Sequence, residues 1–115
     1  MSSCIFCKIA NKEIPSEFLY EDERVFVVRD LHPKAPIHIL VIPKRHIASL
    51  IDLQDSDRDL ATHLLFTLPK IAVAHGLVKG FRTIINSGVG GGQEISHLHC
   101  HLIGISSVYG PTAGS

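Results

Sequence analysis

The sequence predicts an α+β domain in which an antiparallel meander sheet of about five strands packs with one long and one short helix. Short runs of strand-forming apolar residues recur along the chain, and one long segment of its second half has helical periodicity. The elements do not alternate in a regular β-α-β order, which disfavours a parallel sheet. The length of 115 residues suits a single domain over 1–115, with 105–115 as a C-terminal tail.

The first half of the chain is predicted to contain the short helix and three strands. Ile5, Phe6 and Ile9 have roughly helical spacing and favour a helix within residues 4–12, which the Ile14-Pro15 pair ends. Strands are predicted over 17–20, 25–28 and 37–42, with a turn at 21–23 and a proline-containing loop at 30–36.

The long helix is predicted to run from near Asp55 to about His75. Asp55 or Ser56 can cap its N-terminus, and Gly76 is a natural stop. Pro69 lies inside this span and predicts a kink or the local loss of a hydrogen bond. One face of the helix is an apolar stripe formed by Leu60, Leu64, Leu68 and Ile71.

The composition restricts the classes of partner. The formal net charge is zero, so the chain lacks the broad basic field that nucleic acid binding needs. No apolar run is long enough for a membrane span, and we expect no membrane association and no signal peptide. The three cysteines do not suggest a secreted disulfide framework, which favours a cytoplasmic location.

The last predicted strand carries histidines at three alternate positions, His97, His99 and His101. A strand turns alternate side chains to the same face, so the three imidazoles would line one face. The residues between them would point into apolar packing: Leu98, Cys100 and Leu102. Histidine has modest strand propensity, so the row indicates a nucleophile, an acid–base group or a metal ligand. The alternatives are the exposed polar face of an edge strand and a metal site formed by the row itself.

A fourth strand over 81–85 leads into a glycine-rich loop over 86–93. Glycine lets backbone N–H groups approach an anion, so the loop resembles a phosphate cradle. It is not a dinucleotide fingerprint, because a strand follows it, and it lacks the Gly-Lys-Ser/Thr ending of a Walker loop. Taken alone, the loop is typical of a flexible hairpin, whereas its place beside the histidine row favours phosphate binding.

Several other residues have both a structural and a functional interpretation. His38 lies on an apolar strand, either as a core histidine or as a group that orients another histidine by fixing its tautomer. Asp30 precedes the proline-containing loop and is typical of a turn. Four apolar residues are typical of a core: Phe6, Ile9, Ile14 and Leu31.

The two N-terminal cysteines, Cys4 and Cys7, have the spacing of a pair of metal ligands. His46 and His97 lie at the ends of neighbouring predicted strands and could complete a tetrahedral site. This combination predicts one structural zinc ion. The alternative is two coincidental buried cysteines.

These residues together resemble the histidine triad (HIT) superfamily, specifically its branch of histidine-triad nucleotide-binding proteins. The resemblance covers almost the whole chain. It is carried by Cys4 to Ile9, Glu13 to Pro15, Glu21-Asp22, Asp30 to Pro36, His38 to His46, Asn86, Gly92-Gln93 and His97 to Ile103.

The resemblance implies a HIT-like fold and a covalent nucleotidyl-histidine intermediate. His99 would be the nucleophile and His101 would help to hold the phosphate, while His97 and His38 would orient them. The nucleotide-binding residues that it implies are Phe6, Ile9, Ile14, Val28, Asp30, Leu31, Asn86, Gly92, Gln93, His99 and His101.

The activity that the resemblance implies is hydrolysis of purine nucleoside 5′-phosphoramidates or acyl-adenylates, with release of AMP. Asp30 would hold the ribose hydroxyls and Asn86 the phosphate. No metal or other cofactor is needed for this step, and a homodimer joined edge to edge is implied. The alternatives are a dinucleoside polyphosphate hydrolase and a nucleotide-binding adaptor or metal-binding protein with little turnover.

Two features of the sequence differ from the animal members of this superfamily. Glu94 stands where they have a serine near the leaving group, and a carboxylate there would change the leaving-group preference. The tail has no tryptophan, and Tyr109 is the one aromatic residue after the histidine row.

Overall fold

The computed structural model describes residues 3–105 and confirms the predicted α+β class. The elements are α1 Ile5–Ala10, β1 Tyr20–Glu21, β2 Val25–Arg29, β3 Ile37–Pro43, α2 Arg58–Ala74, β4 Arg82–Ile84 and β5 Cys100–Gly104. Apart from Ile105, the predicted tail and its Tyr109 lie outside the described residues. Within 3–105, neither helix is long and apolar enough to cross a membrane.

The five strands form one antiparallel sheet in the order β1-β2-β3-β5-β4. The predicted meander therefore extends over the first three strands only. The helix α2 separates β3 from β4 along the chain, and in the sheet β4 lies at the far edge with β5 between it and β3. This order places β3 and β5 side by side, with Leu40 opposite His101 and His38 opposite Ile103.

The central strands of the sheet are buried on both faces, and their alternate residues belong to two separate cores. The face covered by α2 includes Val25, Val27, Ile39, Val41, Leu98, Cys100 and Leu102. The face covered by α1 includes Phe6, Ile9, Phe26, Val28, Leu40 and Ile42. Because side chains alternate along a strand, His38 and His101 project from the same face as Leu40, the face that α1 covers.

The long helix begins later than predicted. Residues Asp55–Asp57 form one turn of 3-10 helix before α2. The expected cap at Asp55 or Ser56 is wrong, because Gln54 is the N-cap residue of the 3-10 turn and Asp57 is that of α2. The carboxylate of Asp57 accepts the backbone N–H of Gln54 at 2.9 Å. The helix continues past Pro69 to Ala74. The predicted stripe is confirmed, with Leu64, Leu68 and Ile71 buried and Leu60 packed against them.

Two of the strands that flank the functional region are shorter than predicted. β4 lacks one residue at each end of the expected 81–85. β5 begins only at Cys100, so His97 and His99 lie in the segment that leads into it. The reason is that this segment bonds elsewhere: the N–H of Leu98 donates to the carbonyl of Ile47, at 2.7 Å, and not to a strand.

The strand predicted at 17–20 is displaced to Tyr20–Glu21, and the hairpin that follows is tied to α2 through Asp22. One oxygen of this carboxylate accepts the backbone N–H groups of Arg24 and Val25, and the other contacts Tyr20 Oη and His63 Nε2. Burial alone would raise the pKa of Asp22, but these hydrogen bonds hold it well below its usual range. Asp22 therefore stays ionised and fixes the hairpin against the helix.

Candidate active site

A cavity of about 350 Å³ opens on the face of the sheet that α1 covers. Phe6 and Ile9 of α1 and Val28 and Leu40 of the sheet form its apolar wall, and all four side chains are buried. His99, which is 8% exposed, lies at its border. The cavity combines an apolar slot with a polar histidine at its border, which is the usual composition of a small-molecule site.

The cavity contains most of the residues that the sequence nominated for nucleotide binding. It is lined by Phe6, Ile9, Val28, Asp30, Leu31, Asn86, Gly92, His38, His99 and His101. Leu31 is a rim residue rather than a core residue, since it is 87% exposed. The cavity is also lined by eight residues that were not predicted to bind the nucleotide: Ile5, Ser16, Arg29, His32, Lys34, Leu40, Glu94 and Ile95.

Three nominated residues do not line the cavity. Ile14 packs beside α1 in the second core, because the chain turns away after the short helix. The side chain of Gln93 is turned inward and donates to the carbonyls of Ala48 and Ile95. His97 is fully buried, with its ring edge-on to Phe6 at 5.7 Å between centroids.

The backbone sets the tautomer of His99. Its Nδ1–H donates to the carbonyl oxygen of His97 at 2.7 Å. The proton of a neutral ring is therefore on Nδ1, and Nε2 carries the free lone pair. The backbone alone therefore leaves Nε2 of His99 in the unprotonated form that a nucleophile needs.

His38 and His101 form a second ordered pair. The backbone N–H of Lys34 donates to Nδ1 of His38 at 3.0 Å, which leaves the proton of His38 on Nε2. This Nε2–H lies 2.9 Å from Nδ1 of His101 and donates to it. The proton of His101 is then on Nε2, as a hydrogen-bond donor, and its ring centroid is 5.0 Å from that of His99.

The environment keeps His101 uncharged near neutral pH. Burial lowers its pKa, and the neighbouring rings of His99 and His38 lower it further, against an opposing contribution from Asp30. A neutral His101 can accept from His38 and donate from Nε2 at the same time. The carboxylate of Asp30 lies 3.3 Å from His38 Nε2 and also accepts the backbone N–H of His32 at 2.7 Å, as a turn-forming aspartate does.

Asp30, His38 and His101 present ligand atoms close enough to hold a metal ion. The tautomer of His38 argues against that use. Its Nε2 carries a proton as long as Lys34 donates to Nδ1, so a metal at Nε2 would displace that backbone hydrogen bond. The geometry therefore favours a proton-ordered pair of histidines over a metal centre.

The glycine-rich loop is braced by two amide side chains. Nδ2 of Asn86 donates to the carbonyl of Gly91 at 2.8 Å, and Oε1 of Gln93 accepts the N–H of Gly88 at 2.7 Å. Gly92 has a φ of 78°, a conformation that side chains rarely adopt. These contacts fold the loop over one border of the cavity, where Asn86 and Gly92 line it.

Four predicted metal ligands converge beside the cavity: Cys4, Cys7, His46 and His97. Nδ1 of His97 lies 3.2 Å from Sγ of Cys4, 3.6 Å from Sγ of Cys7 and 3.1 Å from Nδ1 of His46, which itself is 3.3 Å from Sγ of Cys7. Zinc bonds of 2.0–2.3 Å give tetrahedral edges of roughly 3.3–3.8 Å. The observed edges are close to these values, so the donor set fits a tetrahedral zinc ion.

The tautomer of His97 also suits a metal. Its Nε2–H donates to the carbonyl of Pro43 at 2.8 Å, so Nδ1 turns a lone pair toward the other three ligands. Burial lowers the pKa of His97, which keeps the ring neutral. Cys100 lies on the opposite face of the sheet, where burial raises the pKa of its thiol to about 12. That thiol is a packing group.

Comparisons with known proteins identify relatives over most of the chain. A family model described as "scavenger mRNA decapping enzyme C-term binding" matches residues 3–111. Protein HitA of Neisseria gonorrhoeae is 48% identical over 104 residues, which cover 90% of this chain and 97% of HitA.

Solved structures share the fold over nearly the same span. A HIT family hydrolase from Legionella pneumophila Philadelphia 1 aligns with a TM-score of 0.86 and 46% identity, covering 89% of this chain and 92% of its own. A histidine triad nucleotide-binding protein from Candida albicans aligns with a TM-score of 0.79 and 34% identity. The alignment covers 87% of this chain and 73% of the Candida protein.

Proposed function

Because the chain belongs to the histidine triad superfamily, we propose that it hydrolyses AMP conjugates through a covalent nucleotidyl-His99 intermediate. The observation that carries the proposal is the hydrogen bond from Nδ1 of His99 to a backbone carbonyl, which leaves Nε2 as a nucleophile beside an apolar slot. The similar structures named as a hydrolase and as a nucleotide-binding protein support it. The substrates are purine nucleoside 5′-phosphoramidates or acyl-adenylates.

The reaction has two displacement steps. Nε2 of His99 attacks the α-phosphorus, a P–N bond forms to the ring, and the bond to the leaving amine or carboxylate breaks. Water then attacks the same phosphorus, AMP leaves, and the lone pair returns to Nε2. For an amine the leaving nitrogen gains one proton and the attacking water gives one up, so the two steps consume one water.

The remaining polar groups stabilise charge on the phosphoryl oxygens. His101 offers Nε2–H because His38 occupies its Nδ1, and Asn86 and Gly92 border the same cavity. Preorganised donors of this kind supply much of the catalysis in phosphoryl transfer. Asp30 lines the cavity, and its carboxylate would accept hydrogen bonds from the ribose hydroxyls.

The function is tested by AMP release from adenosine 5′-phosphoramidate, measured on protein treated with a chelator. We expect turnover, since no step of the chemistry needs a metal. Faster hydrolysis of a dinucleoside polyphosphate than of the phosphoramidate would favour that alternative activity. Binding of AMP with no turnover of either substrate would contradict the proposal and favour a nucleotide-binding adaptor.

We further propose that Cys4, Cys7, His46 and His97 hold one structural zinc ion. When bound, the metal cross-links the N-terminal segment to the ends of β3 and β5. It would also fix His97, whose carbonyl orients His99. The metal supplies no chemistry to the reaction itself.

The proposed partner of this chain is a second copy of itself, through the edge of the sheet at β4. Leu65 and Phe66 of α2 are both 64% exposed, and with Phe81 they form an apolar surface next to β4. Among residues 3–105, β4 pairs with β5 alone, and an edge strand beside exposed apolar residues is typical of an interface. A twofold axis would pair the β4 strands of two copies.

We expect light scattering at micromolar concentration to give twice the mass of one chain. Phe66→Glu should shift the protein toward the monomer, because it buries a charge in the interface. Ile51→Glu, at a residue that is 87% exposed outside this surface, should remain dimeric. A monomeric mass for the unaltered protein would contradict the interface.

A further inference from the structure

The nucleotide cavity continues into a second, shallower groove. The two share Ile5, Glu94 and Ile95 along their common border. The groove is completed by Ser3, Cys4, His46 and Ser96. A nucleotide that fills the apolar slot would leave this groove for the group attached to its α-phosphate.

The cavity and the groove differ in charge. Arg29 and Lys34 line the cavity, whereas neither an arginine nor a lysine lines the groove. Glu94 is the one carboxylate in the groove and is exposed. Among residues 3–105 it has neither a hydrogen bond nor an ion pair, so its charge is not neutralised by a neighbour.

We propose that the groove is the leaving-group subsite and that Glu94 selects cationic leaving groups. The inference rests on the proposed function and narrows its substrate class to AMP phosphoramidates whose leaving amine carries a second, protonated amino group. A carboxylate in this position attracts an ammonium and repels the phosphates of a dinucleoside polyphosphate. Glu94 acts as a specificity-determining residue and takes no part in the chemical step.

The test compares three adenosine 5′-phosphoramidates of matched length. Their amines are 1,3-diaminopropane, with a cationic end, n-butylamine, with a neutral end, and β-alanine, with an anionic end. For an exposed charge pair we expect kcat/KM to be roughly two- to fivefold higher for the cationic than for the neutral substrate at low salt. The preference should shrink as ionic strength rises.

The variants identify the carboxylate responsible. In Glu94→Gln the cationic-to-neutral ratio should fall to about one, and Glu94→Lys should favour the anionic substrate. Glu23→Gln, at another exposed glutamate outside the groove, should keep the ratio of the unaltered protein. A ratio near one in the unaltered protein, or an undiminished ratio in Glu94→Gln, would overturn the inference.

A binding measurement separates this inference from the proposed function. The Kd values of the same three compounds for His99→Ala protein report the groove without any turnover. A cation preference in Kd that Glu94→Gln removes would support the groove even if none of the compounds is hydrolysed. Turnover of all three compounds, with equal Kd values and equal kcat/KM, would support the proposed function and reject the groove.

Discussion

The His99→Ala variant is expected to lose turnover of adenosine 5′-phosphoramidate by several orders of magnitude while it still binds AMP. The loss follows from the two-step reaction, because the variant lacks the Nε2 lone pair that the hydrogen bond from His99 Nδ1 to the carbonyl of His97 leaves free beside the cavity. Removal of a nucleophile typically costs factors of roughly 10⁴–10⁶ in kcat. AMP binding should persist, since the apolar slot and Asp30 remain.

The measurement combines single-turnover kinetics with intact mass spectrometry of acid-quenched protein. The unaltered protein should show a transient adduct with the mass of one nucleotidyl group, and His99→Ala should show none. His75→Ala, at the C-terminal end of α2 and outside the cavity, is the matched control and should retain both turnover and adduct. Full activity in His99→Ala would exclude the covalent mechanism.

The double variant Cys4→Ser, Cys7→Ser is expected to lose a zinc ion and to unfold at lower temperature. The unaltered protein should contain about one zinc per chain by metal analysis. A ligand bound only to the folded state stabilises it by about 4 kcal/mol when its free concentration is a thousand times its Kd. The shift in Tm should therefore amount to many degrees, and a chelator should reproduce it in the unaltered protein.

The control variant is Cys100→Ala, which removes the one described cysteine outside the ligand cluster. It should keep the zinc content, and any loss of stability should come from packing, because Cys100 is 1% exposed in the apolar core. The double variant should retain some turnover, since His99 is not a ligand. A protein purified without chelator that carries no zinc, and whose Tm does not rise with added zinc, would rule the site out.

The spacing of the histidines predicted which face of the chain carries the polar groups, but not the path of the backbone. Leu98, Cys100 and Leu102 do point into the core shared with α2, as alternation requires. The strand itself begins only at Cys100, because the N–H of Leu98 pairs with Ile47. A contact across 51 residues of sequence decided this boundary, and no local pattern encodes it.

The cavity, too, combines residues that the sequence predicted with residues that only the folded structure brings together. Local periodicity predicted Phe6, Ile9 and Val28 as apolar residues of a helix and a strand, and the resemblance to the histidine triad superfamily implied their place in the cavity. Lys34 was not predicted at the site, because its backbone N–H reaches Nδ1 of His38 only in the folded chain. Gln93 does not line the cavity, because its side chain braces the glycine-rich loop instead.

The sequence by itself determined the α+β class, the buried stripe of the long helix and the chemical types of the site residues. These properties depend on periodicity and composition over short stretches of chain. The tertiary structure alone decided the insertion of β5 between β3 and β4, the tautomers of His38, His97, His99 and His101, and the groove at Glu94. Each of these depends on hydrogen bonds or surfaces formed by segments distant in sequence, which exist only once the chain has folded.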